Sequence, residues 1–114
     1  MKLIIKRAQA EQKGFFGGHK GMKFLLTCRV ALDNEEEALI ERYKVQDYPL
    51  TWMEVRGERV PGLLIGELVR GTNYEVNDVT TLLNNEDVIR DACKDFKALL
   101  EIMRSFGGEE VVEI

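Results

Sequence analysis

The side chains best suited to catalysis are few in this chain and lie far apart in the sequence. His19 is the only histidine, Ser105 is the only serine, and the two cysteines, Cys28 and Cys93, are 65 positions apart. Nucleophilic catalysis needs a hydroxyl or thiol beside a base, and zinc sites bring several cysteines or histidines together at short spacings. Neither pattern is present. We therefore expect no catalytic dyad, no metal site and no cofactor, and we predict that both cysteines are buried free thiols.

Three consecutive glutamates at 35–37, followed by Glu41, have the composition of a metal or acid–base cluster. Consecutive side chains point in different directions around a helix, however, so the three cannot converge on one ion. Asp33 followed three residues later by Glu36 is the signature of a capping box, and acidic residues are favoured in the first turn. The pattern predicts a short helix from Asp33 to about Lys44, with carboxylates that cap it or face water.

A glycine-rich segment between positions 13 and 23 is the one local sequence that a stable fold does not obviously require. Its glycines would let backbone amides approach an anion, its lysines would supply charge, and its phenylalanines could stack on a base. The segment precedes a predicted strand and lacks Gly-Lys-Ser/Thr, so it is not a P-loop. The alternative is a hairpin tip whose phenylalanines fold back on the core. The candidate anion or nucleic-acid contacts are Lys13, Phe15, Phe16, His19, Lys20 and Lys23.

Composition indicates an ordered globular domain with an uneven charge distribution. The chain has 114 residues, of which 45% are hydrophobic and 32% charged. The net charge of −4 divides into +6 over residues 1–30 and −10 over residues 31–114. No apolar run approaches the ~20 residues of a membrane-spanning helix. The apolar stretch at the N-terminus ends at Lys6, too early for a secretory signal. We expect a single domain over residues 1–114, located in the cytoplasm, with no membrane contact.

The first third of the chain predicts two antiparallel strands. Residues 2–8 alternate weakly, while residues 22–30 alternate clearly, with Lys23, Thr27 and Arg29 opposite the apolar side chains. The simplest connection is a long hairpin with a flexible tip between Gln9 and Gly21. The apolar face of the second strand comprises Met22, Phe24, Leu26, Cys28 and Val30.

The middle of the chain predicts short strands. Residues 50–56 alternate, and Gly57 favours a turn, so a hairpin is expected there. Periodicity cannot decide between strand and helix for residues 63–69. We favour a strand to about Ile65 and an irregular segment to Gly71. Residues 73–76 are predicted to form another short strand.

A long helix is the strongest element of the sequence, predicted over residues 85–106 with Asn84 or Asn85 as the N-cap and a preceding turn at 79–83. Its apolar stripe either packs on a sheet of the same domain or forms a coiled-coil face, and we favour packing within the domain. Residues 109–114 are predicted to form a final strand. The stripe comprises Ile89, Ala92, Cys93, Phe96, Leu99, Leu100, Met103 and Phe106.

These elements predict an α+β domain, a mainly antiparallel sheet with the long helix on one face and a short helix at its edge. Without a catalytic set, and with exposed strands expected in a small open sheet, we predict a non-catalytic protein-interaction or assembly module, most simply a homodimer. The alternative is a nucleic-acid-binding module that uses the basic hairpin at residues 13–23.

Overall fold

The computed structural model describes residues 1–13 and 19–114. A three-stranded antiparallel sheet and a separate two-stranded hairpin combine with three helices, which is the predicted α+β fold. The strands are β1 (Lys2–Lys13), β2 (His19–Ala31), β3 (Trp52–Val55), β4 (Glu58–Pro61) and β5 (Thr72–Val76), and the helices are α1 (Asn34–Tyr43), α2 (Ile65–Arg70) and α3 (Val79–Ser105).

The larger sheet has the order β1-β2-β5, and β2 pairs antiparallel with both neighbours. Successive side chains of β2 point to opposite faces of the sheet. Leu26, Cys28 and Val30 are buried, whereas Arg29 between them is exposed. One face therefore packs on the core and the other faces water, as the alternation predicted.

The β1–β2 hairpin extends past the end of β5. β5 pairs with β2 only from Phe24 to Cys28, while the β1–β2 ladder continues to the pair Lys13 and His19. The expected connection from Gln9 to Gly21 is thus mostly strand, a correction to the sequence prediction. Residues 14–18, within which part of the predicted flexible tip falls, lie outside the described residues.

Helix α1 begins with the predicted capping box. The Asp33 carboxylate accepts the backbone N–H of Glu36 at 2.8 Å, and the Glu36 carboxylate accepts the backbone N–H of Asp33 at 3.0 Å. Glu36 is buried and also accepts the amino group of Met1 at 2.8 Å. The capping box therefore ties the start of β1 to the start of α1.

Helix α3 is longer than predicted because it begins earlier. Asp78 is the N-cap and accepts the Thr81 backbone N–H at 2.7 Å, so Asn84 and Asn85 lie inside the helix. Its stripe packs within the domain, as favoured, but Leu99 is only half-buried. Phe106 is exposed beyond the last turn, which corrects its expected place in the helix.

Two further predictions about short segments were wrong. Residues 65–70 form helix α2 instead of a strand end and an irregular segment, because Ile65 and Leu68, three apart, are both fully buried. The C-terminal segment 109–114 has no strand partner and no regular structure. Its apolar side chains are exposed, since no strand within the described part of the chain covers them.

The β3–β4 hairpin is confirmed, and its turn explains the position of Gly57. Arg56 and Gly57 both have positive φ, at 53° and 81°, as a two-residue type I′ hairpin turn requires. Glycine adopts this conformation without the steric cost that a side chain brings. Most side chains of the hairpin are exposed, including Trp52, Met53 and Val55.

The buried side chains form one cluster between the inner face of the sheet and the three helices. Phe96, near the middle of α3, is fully buried. The cluster comprises Leu26, Cys28, Val30, Ile40, Leu50, Leu63, Ile65, Leu68, Leu82, Ile89, Ala92, Cys93, Phe96, Leu100 and Met103.

Candidate interaction surfaces

The uncovered face of the sheet carries a cluster of basic side chains. On β1, Lys2 and Lys6 alternate with the inward-facing Leu3 and Ile5 and are exposed. In the β1–β2 register, Arg29 lies opposite Ile4, which places its exposed guanidinium between the two lysines. These three cations have no ion-pair partner within the described part of the chain. The strand alternation thus concentrates positive charge on one surface.

Of the six candidate contact residues, Lys23 lies on this basic face. Its ammonium lies 3.6 Å from the Glu75 carboxylate, so part of its charge is locally balanced. Lys13 and His19 pair across the hairpin, and Lys20 follows in β2. Phe15 and Phe16 lie outside the described residues.

The candidate contacts chosen from the sequence did not include three members of the basic face, Lys2, Lys6 and Arg29, although Arg29 was predicted to lie on the outer face of its strand. The signal was present in the even-numbered spacing of the two lysines and in the alternation of β2. Only the register of the hairpin brings the two strands' cations together, and a one-residue slip of either strand would place the two sets on opposite faces.

Each outer strand of the three-stranded sheet has a free edge in the described part of the chain. β1 and β5 pair with β2 alone. An edge strand presents backbone N–H and C=O groups that can pair with another chain. The two edges differ in their surroundings, since β1 is bordered by lysines and β5 by an apolar groove.

The groove beside β5 lies between this strand, the β3–β4 hairpin and α3, and has a volume of about 560 Å³. Met53 and Val88 both line it and are 53% and 51% exposed. Tyr74 of β5 and Leu63 extend the apolar lining, and Arg70 also lines the groove. Such a groove offers an extended segment both backbone pairing and apolar contacts.

An aromatic side chain adds to this exposed region on the β3–β4 hairpin. Trp52 is about half exposed, and the Arg59 guanidinium carbon lies 4.6 Å from its ring centroid. This cation–π contact holds the indole at the surface. Tryptophan and arginine are also the side chains enriched at the centres of protein interfaces.

The C-terminal segment is the most exposed apolar part of the described chain. Val111 and Val112 are 83% and 67% exposed, and Ile114 is fully exposed. Three glutamates, Glu109, Glu110 and Glu113, alternate with or flank these side chains. The segment is therefore both apolar and acidic.

A buried carboxylate, Glu86, joins β1 to α3. Its oxygens accept hydrogen bonds from the Arg7 guanidinium, including one of 2.9 Å to Nε, and one of 2.9 Å from Arg90. Hydrogen bonds from Arg7, then Arg90, lower the pKa of Glu86 from 4.5 to about 2. The carboxylate stays ionised at neutral pH, where it serves as an acceptor and not as a proton donor.

The two thiols lie in the core near this cluster. Burial raises the pKa of Cys93 to about 11 and also raises that of Cys28. A thiol with such a pKa is protonated at neutral pH and is a poor nucleophile. Both cysteines are free and buried, as predicted.

The Ser105 hydroxyl makes a hydrogen bond within the end of its own helix. It donates to the backbone carbonyl of Ile102 at 2.6 Å. Over residues 1–13 and 19–114, no group of three or more metal-ligating side chains is placed to hold an ion. In the same ranges, no helix combines the length and apolarity that crossing a membrane requires.

Comparison with protein-family models, curated proteins and solved structures finds no match for this chain.

Proposed function

We propose that this chain is a non-catalytic assembly module of the cytoplasm that associates through the open edges of its sheet, with a homodimer as the simplest form. One observation carries the proposal. Both edges of the three-stranded sheet lack a strand partner within the described residues, and exposed apolar side chains lie beside the groove at one edge.

The physical reason is that an exposed strand edge and exposed apolar side chains each favour association. Backbone groups at an edge complete their hydrogen bonds when another strand adds to the sheet. The apolar side chains at the edge that is used, either Met53 and Val88 beside β5 or the C-terminal valines, would be removed from water in the same step. Burial of apolar surface contributes roughly 25 cal/mol per Å² before the entropic cost of association is subtracted.

The first prediction is that the chain is a dimer in dilute neutral buffer. Light scattering coupled to gel filtration should give about twice the chain mass of 13.1 kDa. The mass should fall toward that of one chain on dilution, as mass action requires for a reversible dimer. A single-chain mass at concentrations well above micromolar would remove the proposal.

A second candidate function, binding of nucleic acid, is favoured by the basic face. Lys2, Lys6 and Arg29 lie on one solvent-facing surface, and the hairpin that carries the predicted contacts Lys13 and Lys20 extends the same two strands. The −10 charge over residues 31–114 opposes a polyanion that reaches beyond this surface. Assembly therefore remains the first proposal.

The second prediction tests nucleic-acid binding by its salt dependence. Each lysine that contacts a phosphate releases counterions, so the logarithm of affinity for single-stranded DNA should fall with the logarithm of salt by about 0.7 per contact. Lys6→Ala should flatten this slope by one contact. Lys97→Ala is the matched control, because Lys97 is exposed on α3 and away from the sheet face. If a labelled oligonucleotide does not bind at ~20 mM salt, the nucleic-acid function is excluded.

A further inference from the structure

The C-terminal segment has the residue pattern of an edge strand. If residues 109–114 are extended, Glu109, Val111 and Glu113 lie on one side, and Glu110, Val112 and Ile114 lie on the other. One side then presents two carboxylates about 13 Å apart, four residues along the strand. The other ends in two apolar side chains.

The free edge of β1 has the complementary pattern. Lys2 and Lys6 are also four residues apart, on the basic outer face, with Ile4 between them. On the inner face, Leu3 and Ile5 pack against the core but remain only half-buried. The outer face of this edge therefore matches the two carboxylates of the segment in charge, and the inner face matches the apolar Val112 and Ile114.

We propose that residues 109–114 of a second copy of this chain add to the sheet as a strand antiparallel to the start of β1. The proposal rests on the assembly function above and names its interface. In the matching register, Glu113 lies opposite Lys2 and Glu109 opposite Lys6. The remaining pairs are Val111 with Ile4, Val112 with Leu3, Glu110 with Ile5, and Ile114 with Met1.

The direction of pairing selects the second copy over the chain's own C-terminal segment. Glu36 contacts both the Met1 amino group and Arg104 of α3, so α3 ends beside the start of β1. A segment that leaves α3 there and runs along its own β1 would be parallel to it. The parallel register that matches both glutamates to both lysines places Ile114 against Arg7 instead of Met1, so it keeps only one of the two apolar pairs.

A two-fold dimer satisfies the antiparallel requirement for both chains at once. When two copies face each other through β1, the two β1 strands run in opposite directions. A C-terminal segment that starts at the Met1 end of its own chain then runs antiparallel to the partner's β1. Each chain supplies one segment and one edge, so the interface is self-complementary and closed.

The test exchanges charges between the two halves of this interface. In E109K/E113K the C-terminal segment repels the lysines of β1, and in K2E/K6E the edge repels the glutamates of the segment. Each variant alone should be monomeric in native mass spectrometry, with its dimer dissociation constant raised at least about tenfold. Mixed in equal amounts, the two should form a heterodimer, because both of its interfaces then join opposite charges.

Two further variants separate docking from unspecific effects of charge or folding. E54K/E58K makes the same charge change on the exposed β3–β4 hairpin and should remain a dimer. Val112→Asp changes a side chain that is 67% exposed, so the fold should persist, as circular dichroism would verify, while the dimer weakens. This variant tests the interface even if K2E/K6E does not fold.

Three results overturn the docking proposal. If E109K/E113K or Val112→Asp dimerises like the parent, the interface lies elsewhere and the assembly function is unaffected. Monomeric charge variants that fold but form no heterodimer on mixing would show that the segment does not bind the edge of another copy. A monomeric parent would remove the docking proposal and the assembly function together.

Discussion

Phe96→Ala is expected to lower the free energy of unfolding by about 3–5 kcal/mol, the usual cost of truncating a buried phenylalanine. Phe96 lies at 0% exposure near the middle of α3, in the core cluster that includes Leu26 and Leu100. The alanine variant loses the free energy gained by burying the phenyl ring. It also leaves a cavity that the surrounding core fills only in part. Urea unfolding of parent and variant, at one protein concentration, measures the difference.

Phe106→Ala is the matched control for this prediction. Phe106 is 60% exposed, and its ring centroid lies 5.2 Å from that of Tyr43. Removal of this partial contact should cost no more than about 1 kcal/mol. Equal losses in the two variants would mean that α3 presents a different face to the core.

The elements that sequence predicted well are those whose signal is local. The alternation of β2 required only neighbouring residues, and the capping box of α1 required only Asp33 and Glu36. The stripe of α3 recurs over several turns, so its phase was evident around Phe96. Leu99 lies at the flank of the stripe, where the pattern indicates burial less clearly, and it is only half-buried.

The segments predicted wrongly depend on contacts that a short window does not contain. Helix α2 has six residues and an N-cap, Leu64, that makes no side-chain capping bond, so tertiary burial of Ile65 and Leu68 decides its structure. The sequence prediction placed the N-cap of the long helix at Asn84 or Asn85, whereas the N-cap is Asp78, which accepts two hydrogen bonds from Thr81. Residues 109–114 have strand-like composition, but a strand forms only against a partner.

The candidate surfaces likewise combine features that the local sequence predicts with features that only the fold creates. The basic composition of the first thirty residues was evident from sequence, yet the face formed by Lys2, Lys6 and Arg29 exists only because of the hairpin register. The groove beside β5 joins Met53, Tyr74 and Val88, which are distant in sequence. Nothing in the local pattern around these residues indicates that they meet.

Glu86 was missed for a related reason. It lies in a helical turn rich in polar residues, where a solvent-facing carboxylate is the ordinary expectation. Its partner Arg7 is 79 positions away in the sequence, and the two meet only when α3 packs against the inner face of the sheet. Because the carboxylate is buried, the hydrogen bonds from the two arginines replace the water that it loses.

Glu86→Gln is expected to lower the free energy of unfolding at neutral pH by about 1.5–3 kcal/mol, the contribution typical of hydrogen bonds to a charged group. The arginine side chains of the cluster, Arg7 and Arg90, are 52% and 51% exposed. Water can therefore solvate their charge in the variant. The cost should stay below that of breaking a fully buried ion pair.

The pH dependence distinguishes the lost charge from a merely local packing defect. The pKa of Glu86 is lowered from 4.5 to about 2 by folding, so its stabilisation is complete above pH 4.5 and disappears as the pH falls toward 2. The difference in unfolding free energy between parent and Glu86→Gln should therefore shrink over that interval. Asp33 and Asp78 also have lowered pKa values, but they are present in both proteins and cancel in the difference. Glu101→Gln, an exposed change on the same helix, is the control and should leave the free energy of unfolding unchanged. If the difference in unfolding free energy between parent and Glu86→Gln stays constant from pH 7 to about 2, Glu86 does not stabilise the fold through its charge.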